Sequence, residues 1–260
     1  MSTNGLLEGT TVPLPMQSDS LHLPRHPEEG SGCFYKVERK TLVWSAPAPA
    51  SDQQAVYKMY RQRGLISWQR EKVFRFRVQR EYDACSYLAE KNLRTTRPLG
   101  WFFGEHPDHG RYEVLVTEEI SGAQNLLEVV KAKQADDLDF ERLFVLFREM
   151  HRQGFFHGRL DLRNVLGVPG DSDYILMDAP QAMMFKRDLF GSAMAYYDLQ
   201  QISYYTHDYL GGESAHALLM TYGLTDSEAN RIMERVRRGP MSSGYKNFCR
   251  FVFGMCSRFE

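Results

Sequence analysis

Residues 157–166 read His-Gly-Arg-Leu-Asp-Leu-Arg-Asn-Val-Leu, and a second run, Tyr-Ile-Leu-Met-Asp, follows at residues 174–178. Each run contains a short β-like segment with a polar residue at one end, so Asn164 and Asp178 can converge. An amide oxygen and a carboxylate, with phosphate oxygens completing the coordination shell, suit the hard cation Mg²⁺. The two runs therefore predict a site for magnesium and phosphate.

Length and composition limit the class of protein. The chain has 260 residues and a hydrophobic content of 43%, enough for one two-lobed domain or two small ones. A formal net charge of −1 gives no reason to expect nucleic acid as a partner. No apolar run reaches the roughly 18 residues of a transmembrane helix. The N-terminal residues lack the pattern of a secretory signal, so we expect a cytoplasmic protein with reduced cysteines.

The first third of the chain changes from tail-like to β-like. Residues 1–31 are rich in Ser, Gly, Pro and Thr without periodicity, which predicts a disordered or loosely docked tail. Residues 34–37 and 41–44 are candidate strands, and residues 55–60 alternate as a third strand. Lys58 lies in the middle of the third strand. If it is buried it needs an anionic partner; on an edge strand its ammonium would instead reach water.

Helical patterns follow these strands. A helix predicted over residues 81–91 has Glu81 in its first turn, where the helix dipole favours an acid. Asp139 is the candidate N-cap of a later helix. The buried face of that helix is predicted from apolar residues at helical spacing: Phe140, Leu143, Phe144, Phe147 and Met150.

The order of these parts resembles the protein-kinase-like fold. The His-Gly start followed by Leu-x-x-x-Asn-x-Leu resembles the lipopolysaccharide core kinases, the Kdo and heptose kinase family, and is also similar to aminoglycoside and choline phosphotransferases. The resemblance covers about residues 34–205. It implies an α+β, two-lobed fold: an N-lobe over residues 32–120, with an antiparallel sheet and one helix, and a mostly helical C-lobe over residues 121–260.

The resemblance also implies an ATP site between the lobes. Lys58 would contact the α- and β-phosphates, and Glu81 would pair with Lys58 and orient it. The adenine would bond the backbone of a hinge, here at Glu118, Glu119 and Ile120. Each residue also has a plainer interpretation, which for Glu81 is a surface acid near a helix end and for the hinge an ordinary hairpin strand.

Magnesium would be held, by the same resemblance, by Asn164 and Asp178. Asp198 resembles the buried acid that braces the backbone of the catalytic loop. No glycine occurs between Gly32 and Gly64, so the glycine-rich loop whose N–H groups usually cover the phosphates is weak or absent.

The chain departs from the family at Arg159, where the family has Asp after His-Gly. That Asp accepts the proton of the acceptor hydroxyl, help that is typically worth about 10²- to 10⁴-fold, and an arginine cannot replace it because its pKa stays above about 12. Asp161 faces the same side two residues later. Three alternatives remain open. Asp161 orients the acceptor while Arg159 neutralises the phosphoryl group or binds an anionic substrate; catalysis is lost and the two form an ion pair; or both satisfy the loop backbone.

The implied function is ATP-dependent phosphorylation of a hydroxyl on a lipopolysaccharide-core sugar, Kdo or heptose, within a lipid-anchored saccharide. Residues 61–80 hold seven Lys or Arg among aromatic residues, which favours peripheral contact with the anionic inner membrane; the alternative is a solvated connector. The alternative function is a pseudokinase that binds nucleotide or a protein partner in envelope stress signalling without phosphoryl transfer.

Overall fold

The computed structural model describes residues 34–37, 41–48, 53–61, 76–106, 110–132, 138–242, 244–246, 249 and 252. The predicted tail over residues 1–31 lies outside these residues, as do residues 62–75 of the basic stretch. None of the helices in the described part of the chain is both long and apolar enough to cross a bilayer.

A five-stranded antiparallel sheet forms the N-terminal part, in the order β1-β2-β3-β5-β4. Its strands are Phe34–Val37 (β1), Thr41–Pro47 (β2), Gln54–Arg61 (β3), Pro98–His106 (β4) and Gly110–Glu118 (β5). The three strands predicted before residue 61 are confirmed. Because β3 is paired on both sides, with Lys58 opposite Val43 and Leu115, the edge-strand interpretation of Lys58 is wrong.

In the described part of the N-terminal region, the helix α1 (Arg77–Glu90) accompanies the sheet. The predicted start at residue 81 is wrong, because the helix begins four residues earlier and Glu81 lies in its second turn. Val78 explains the earlier start: its side chain is fully buried, and its N–H, which a helix terminus leaves without an intrahelical acceptor, donates to Glu113 Oε2 over 3.2 Å. Glu81 is therefore not a surface acid but is 3% exposed.

The C-terminal part is built on helices α2 (Leu126–Lys131), α3 (Phe140–Arg152), α4 (Ala193–Leu210), α5 (Gly212–Tyr222) and α6 (Asp226–Arg237). The cap on α3 is confirmed, since Asp139 accepts a hydrogen bond from Arg142 N over 2.9 Å. The predicted apolar face of α3 is buried in the main core. Burial of apolar area is the largest favourable contribution to folding, so this face fixes α3 against α5 and the loop that follows.

Short strands flank the loop of residues 157–164, which lies between these helices in the chain. Phe155–Phe156 (β7) pairs with Met183–Met184 (β10), and Gln124–Asn125 (β6), Val165–Gly167 (β8) and Ile175–Leu176 (β9) form a sheet in the order β6-β8-β9. Val165 lies opposite Leu176, and Met177 N donates to Asn164 O over 3.0 Å. This hairpin brings Asn164 and Asp178 to the same end of adjacent strands, as the two sequence runs predicted.

Candidate nucleotide and acceptor site

The backbone of the loop after β7 is held by a buried acid on α4. Asp198 is fully buried, and its two carboxylate oxygens accept hydrogen bonds from His157 N over 2.8 Å and Gly158 N over 3.0 Å. Gly158 has a φ of +74°, and a Cβ there would lie 2.8 Å from Gln181 O, so only glycine fits. These contacts confirm the predicted bracing by Asp198.

His157 links the loop to the strand end that carries Asp178. Its ring is fully buried, and Nε2 lies 3.2 Å from Met177 O. Burial lowers the pKa of His157, so the ring is neutral at pH 7 and Nε2 donates to this carbonyl. His157 therefore has a positioning role in the loop and no acid–base role.

Lys58 is the centre of an ion-pair group between the two parts of the fold. Its Nζ lies 2.8 Å from Glu81 Oε1 on α1 and 2.6 Å from Asp178 Oδ1 after β9. Burial alone would lower the pKa of Lys58, but Glu81, Tyr60 and Asp178 raise it well above its ordinary value. Burial likewise disfavours the charged form of Asp178, but Lys58 and the guanidinium groups of Arg77 and Arg159 hold its pKa below its usual range. Both groups are therefore charged at neutral pH.

Two residues that the sequence did not single out support this group. Tyr60 OH donates to Glu81 Oε2 over 3.1 Å, and the Arg77 guanidinium carbon lies 3.9 Å from the centroid of the Tyr60 ring. Burial raises the pKa of Tyr60, so the hydroxyl keeps its proton and remains a donor. A signal was present, since residues i and i+2 of a strand face the same side and Tyr60 follows Lys58 at that spacing.

Asn164 and Asp178 offer oxygen atoms suited to Mg²⁺. Asn164 is buried, and its Nδ2 donates to Arg159 O over 2.7 Å, which identifies the other amide atom as the oxygen. Within the described residues neither Asn164 Oδ1 nor Asp178 Oδ2 accepts a hydrogen bond. Asp178 has a φ of +54°, in the left-handed region that Asp tolerates better than most residues. The donor set fits a hard divalent cation completed by phosphate oxygens.

In the part of the chain that the structure describes, no larger ligand cluster competes with this pair. The described residues contain no group of three or more His, Cys, Asp or Glu side chains placed to hold a metal. A cation with two protein oxygens must take most of its ligands from elsewhere, which is the usual arrangement for Mg²⁺ bound together with nucleotide phosphates.

The predicted hinge follows β5. Glu118 N donates to Arg97 O over 2.9 Å and Glu119 N to Gln54 O over 3.2 Å. Within the described residues Ile120 N has no acceptor. Of these three N–H groups, only that of Ile120 is free to donate to an adenine. The predicted hinge contact through a backbone N–H is therefore limited to Ile120 and stays a prediction.

Glu119 also connects the hinge to the sheet through its side chain. One carboxylate oxygen accepts a hydrogen bond from the hydroxyl of Tyr35 on β1 over 2.5 Å, and the other accepts one from Ser45 Oγ on β2. The hinge is therefore fastened to the two strands that lie farthest from it in the sequence.

The loop acid Asp161 is paired, but not with Arg159. Its Oδ1 accepts hydrogen bonds from Arg163 N over 2.9 Å and Arg163 Nε over 3.1 Å, and its Oδ2 accepts one from Arg163 Nη2 over 2.7 Å. Arg163 also donates to Tyr205 OH over 2.9 Å. The ion pair between Arg159 and Asp161 in the second alternative is therefore wrong, whereas the loss of catalysis in that alternative stays a prediction. Asp161 instead caps the single 3₁₀ turn Leu162–Asn164, which turns Arg163 back toward it.

The predicted site residues thus fall into two groups. Lys58 contacts both Glu81 and Asp178 at the interface of the sheet and the helices. Asn164 directly precedes β8, which pairs with the strand that leads to Asp178. Arg159 and Asp161 instead line a separate cavity of about 280 Å³, together with residues of α4 and residues 236, 239–241 and 246. Sequence reasoning did not predict this cavity, because residues far apart in the chain form its walls.

The comparisons with known proteins agree with this geometry. A family model described as "Lipopolysaccharide kinase (Kdo/WaaP) family" matches residues 36–183, more than half of the chain. The solved structure "WaaP in complex with acyl carrier protein" superposes with a TM-score of 0.54 at 16% identity, covering 81% of this chain and 88% of that chain. Among curated proteins no significant match was found. At this identity the structural likeness shows the fold alone, and it confirms the predicted α+β, two-lobed, kinase-like architecture.

Proposed function

Because the chain belongs to the lipopolysaccharide kinase (Kdo/WaaP) family, we propose that it transfers the γ-phosphoryl group of ATP to a hydroxyl of a lipopolysaccharide-core sugar. The observation that carries the proposal is the contact of Lys58 Nζ with both Glu81, at 2.8 Å, and Asp178, at 2.6 Å. In protein kinases a strand lysine paired with a helix glutamate binds the nucleotide phosphates, and an aspartate of the other lobe holds Mg²⁺. In the proposal Lys58, Glu81 and Asp178 correspond to these three residues.

Each residue of this group has a distinct part in the proposal. Lys58 binds the α- and β-phosphates, and Glu81 fixes the direction of the lysine. Asn164 Oδ1 and the Asp178 carboxylate hold Mg²⁺, which when bound neutralises the charge that develops on the phosphate oxygens. Ile120 N is the hinge donor available to the adenine.

Asp161 orients the acceptor hydroxyl in this proposal. Arg163 occupies two acceptor positions on Oδ1 and one on Oδ2, and a carboxylate has about four, so Oδ2 can still accept a hydrogen bond from a sugar hydroxyl. A loose, largely dissociative transition state makes little demand on a base. In the proposal, positioning by Asp161 therefore takes the place of general-base help, and Arg159 either neutralises the transferred phosphoryl group or binds an anionic group of the acceptor.

A second candidate is a pseudokinase that binds nucleotide without transferring its phosphate. The observation that favours it is the loop itself, because Arg159 stands where the family has its Asp, and Asp161 is already bonded to Arg163. The two candidates share the nucleotide site and differ only in whether phosphate reaches an acceptor.

Two measurements on the full chain test both candidates. Mg–ATP is expected to raise the melting temperature, and labelled γ-phosphate is expected to reach purified core oligosaccharide. A melting shift without transfer onto Kdo- or heptose-containing acceptors would support the pseudokinase. Absence of both the shift and the transfer would overturn the nucleotide site. Glu90→Gln, an exposed change at the end of α1, is a control that should behave like the wild type.

The place of action follows from the substrate class. In this proposal the lipid-anchored saccharide lies at the cytoplasmic face of the inner membrane. We assign peripheral contact to the basic residues of the stretch 61–80 other than Arg77, which packs on Tyr60, and Arg80, which donates to Pro180 O. Flotation with vesicles containing anionic phospholipid tests this assignment: Arg70→Gln combined with Lys72→Gln is expected to weaken binding, and equal flotation with neutral vesicles would contradict it. The solved relative is described in complex with acyl carrier protein, so a titration with acyl carrier protein tests whether this chain shares that partner.

A further inference from the structure

The cavity beside the loop carries an excess of positive charge. Among the described residues that line it, Arg159 and Arg163 stand against Asp161. The charge of Arg163 is matched by Asp161 at 2.7 Å. The cavity therefore favours an anionic ligand.

Arg159 is held ready for such a ligand. Its backbone is fixed, because its carbonyl accepts a hydrogen bond from Asn164 and the preceding Gly158 N donates to Asp198. Its guanidinium has no hydrogen bond or ion pair within the described residues, although it is half-buried. Leaving a partly buried charge unpaired costs free energy, and an oxyanion bound in a bidentate manner removes this cost.

Gln181 lies on a second wall of the cavity. Gln181 Oε1 is buried and no donor reaches it within the described residues, and Gln181 lines the same cavity. A buried acceptor without a donor costs about 1–3 kcal/mol, so a rotation of the Gln181 side chain that brings Oε1 to a ligand hydroxyl is favourable. Arg159 and Gln181 together match a ligand that carries both an oxyanion and a hydroxyl group.

Size and shape agree with one sugar unit. The volume of about 280 Å³ is at the lower end of small-molecule pockets. Tyr204 and Tyr205 line one side, and aromatic side chains can pack against the C–H groups of a sugar ring. The nucleotide group of Lys58, Glu81 and Asp178 does not line the cavity, so the two ligands can bind together.

We propose that this cavity binds the acceptor saccharide through an anionic substituent, a carboxylate or a phosphate, and that Arg159 is the residue that selects acceptors bearing that charge. This inference rests on the proposed phosphotransferase function. It gives Arg159 a role in acceptor specificity where the family has an acidic residue, and it predicts that neutral sugars are poor acceptors.

Binding is measured by calorimetry on the full chain without nucleotide. The probes are Kdo, which carries a carboxylate, mannose 6-phosphate, which carries a phosphate, and neutral mannose. We expect the two anionic sugars to bind and mannose to bind about 10- to 100-fold more weakly, the range that one charge-assisted contact gives. The better of the two anionic probes identifies the source of the charge. Equal binding of mannose would overturn the proposal.

Matched variants make the test specific. Arg159→Gln should weaken the anionic sugars about 10- to 100-fold and leave mannose unchanged, whereas Arg152→Gln, the same charge change on an exposed part of α3, should change nothing. Gln181→Met should weaken both sugars but not inorganic phosphate. Wild-type affinity for anionic sugars in Arg159→Gln would contradict the proposal. The melting shift with Mg–ATP is recorded in parallel, and its presence in Arg159→Gln separates failure of this inference from failure of the nucleotide site.

Discussion

Lys58 Nζ and Asp178 Oδ1 are 2.6 Å apart although 120 positions of sequence separate the two residues. The pair joins the central strand of the sheet to the end of a short strand among the helices. Removing two charges from water is costly, so a buried ion pair is weak support for stability. Its presence at this position is better explained by phosphate and metal binding, and the predictions below test that explanation.

The pH dependence of stability follows from the pair. The pKa of Asp178 is lower in the folded chain than its unfolded value of about 3.9, so the pair stabilises the fold fully above about pH 4 and this stabilisation is lost as the pH falls toward the folded pKa. The pKa of Lys58 is raised above about 10.4, so its contribution is complete below that pH and is lost as the pH rises through the folded pKa.

Urea unfolding of Asp178→Asn checks this dependence. We expect the variant to be about 1.5–3 kcal/mol less stable than the wild type near pH 7, since a charge-assisted hydrogen bond is weakened. The difference should shrink as the pH falls below about 4. If the difference in unfolding free energy between the variant and the wild type stays constant down to about pH 2, Lys58 does not lower the pKa of Asp178.

Tyr60→Phe tests the support of Glu81. The change removes the hydroxyl that donates to Glu81 Oε2 over 3.1 Å and leaves a buried carboxylate oxygen without this donor, which costs about 1–3 kcal/mol. We expect this loss in urea unfolding, together with a smaller melting shift on addition of Mg–ATP. Tyr57→Phe is the matched control on the same strand, because its hydroxyl donates to Pro47 O away from the ion pair. Equal effects of the two variants on the Mg–ATP shift would contradict a positioning role for Tyr60.

Gly158→Ala tests the geometry of the loop. The alanine must adopt a φ of +74°, and its Cβ would lie 2.8 Å from Gln181 O. Gly170→Ala is the control, with a φ of +80° and no atom within 4 Å of the added Cβ. Both variants pay about 1–2 kcal/mol for the left-handed backbone, and Gly158→Ala should lose at least about 1 kcal/mol more through crowding. Thermal unfolding measures the difference in stability. Equal losses in the two variants would show that the loop relaxes around the added Cβ without loss of stability.

Asp161→Asn tests the orientation of the acceptor. We expect kcat for core oligosaccharide to fall about 10²-fold or more, the lower bound for a group that acts on the reacting hydroxyl, with little change in KM for ATP. Tyr205→Phe removes only the hydroxyl bonded to Arg163 and should have a much smaller effect. Steady-state kinetics with both substrates distinguishes the two variants. Unchanged turnover in Asp161→Asn would remove this residue from the mechanism.

Local patterns were sufficient for much of the fold. The period-two pattern around Lys58 and the helical spacing of Phe140 through Met150 predicted β3 and the buried face of α3, because each depends on which side of one element is buried. The start of α1 was missed because it depends on Glu113 of β5, whose carboxylate accepts a hydrogen bond from Val78 N. Helix boundaries set by such tertiary contacts leave no signal in the helix sequence.

The order of the site residues along the chain could be predicted, but the contacts of their side chains could not. Lys58, Glu81, Asn164 and Asp178 were named from the family pattern, and the structure brings them to one region. The partner of Asp161 was not predicted, because in an extended loop both Arg159 and Arg163 are two residues away and only the 3₁₀ turn Leu162–Asn164 favours Arg163. Gln181 and the α4 wall of the cavity were missed because they meet the loop only in the folded chain.

The most direct test of the central claim is the melting temperature of Lys58→Met, Asp178→Asn and the wild type with and without Mg–ATP, with transfer of labelled phosphate to core oligosaccharide measured on the same samples. We predict a rise in melting temperature and transfer for the wild type, and neither for the two variants. A full melting shift and undiminished transfer in both variants would contradict the assignment of this ion pair to the nucleotide site.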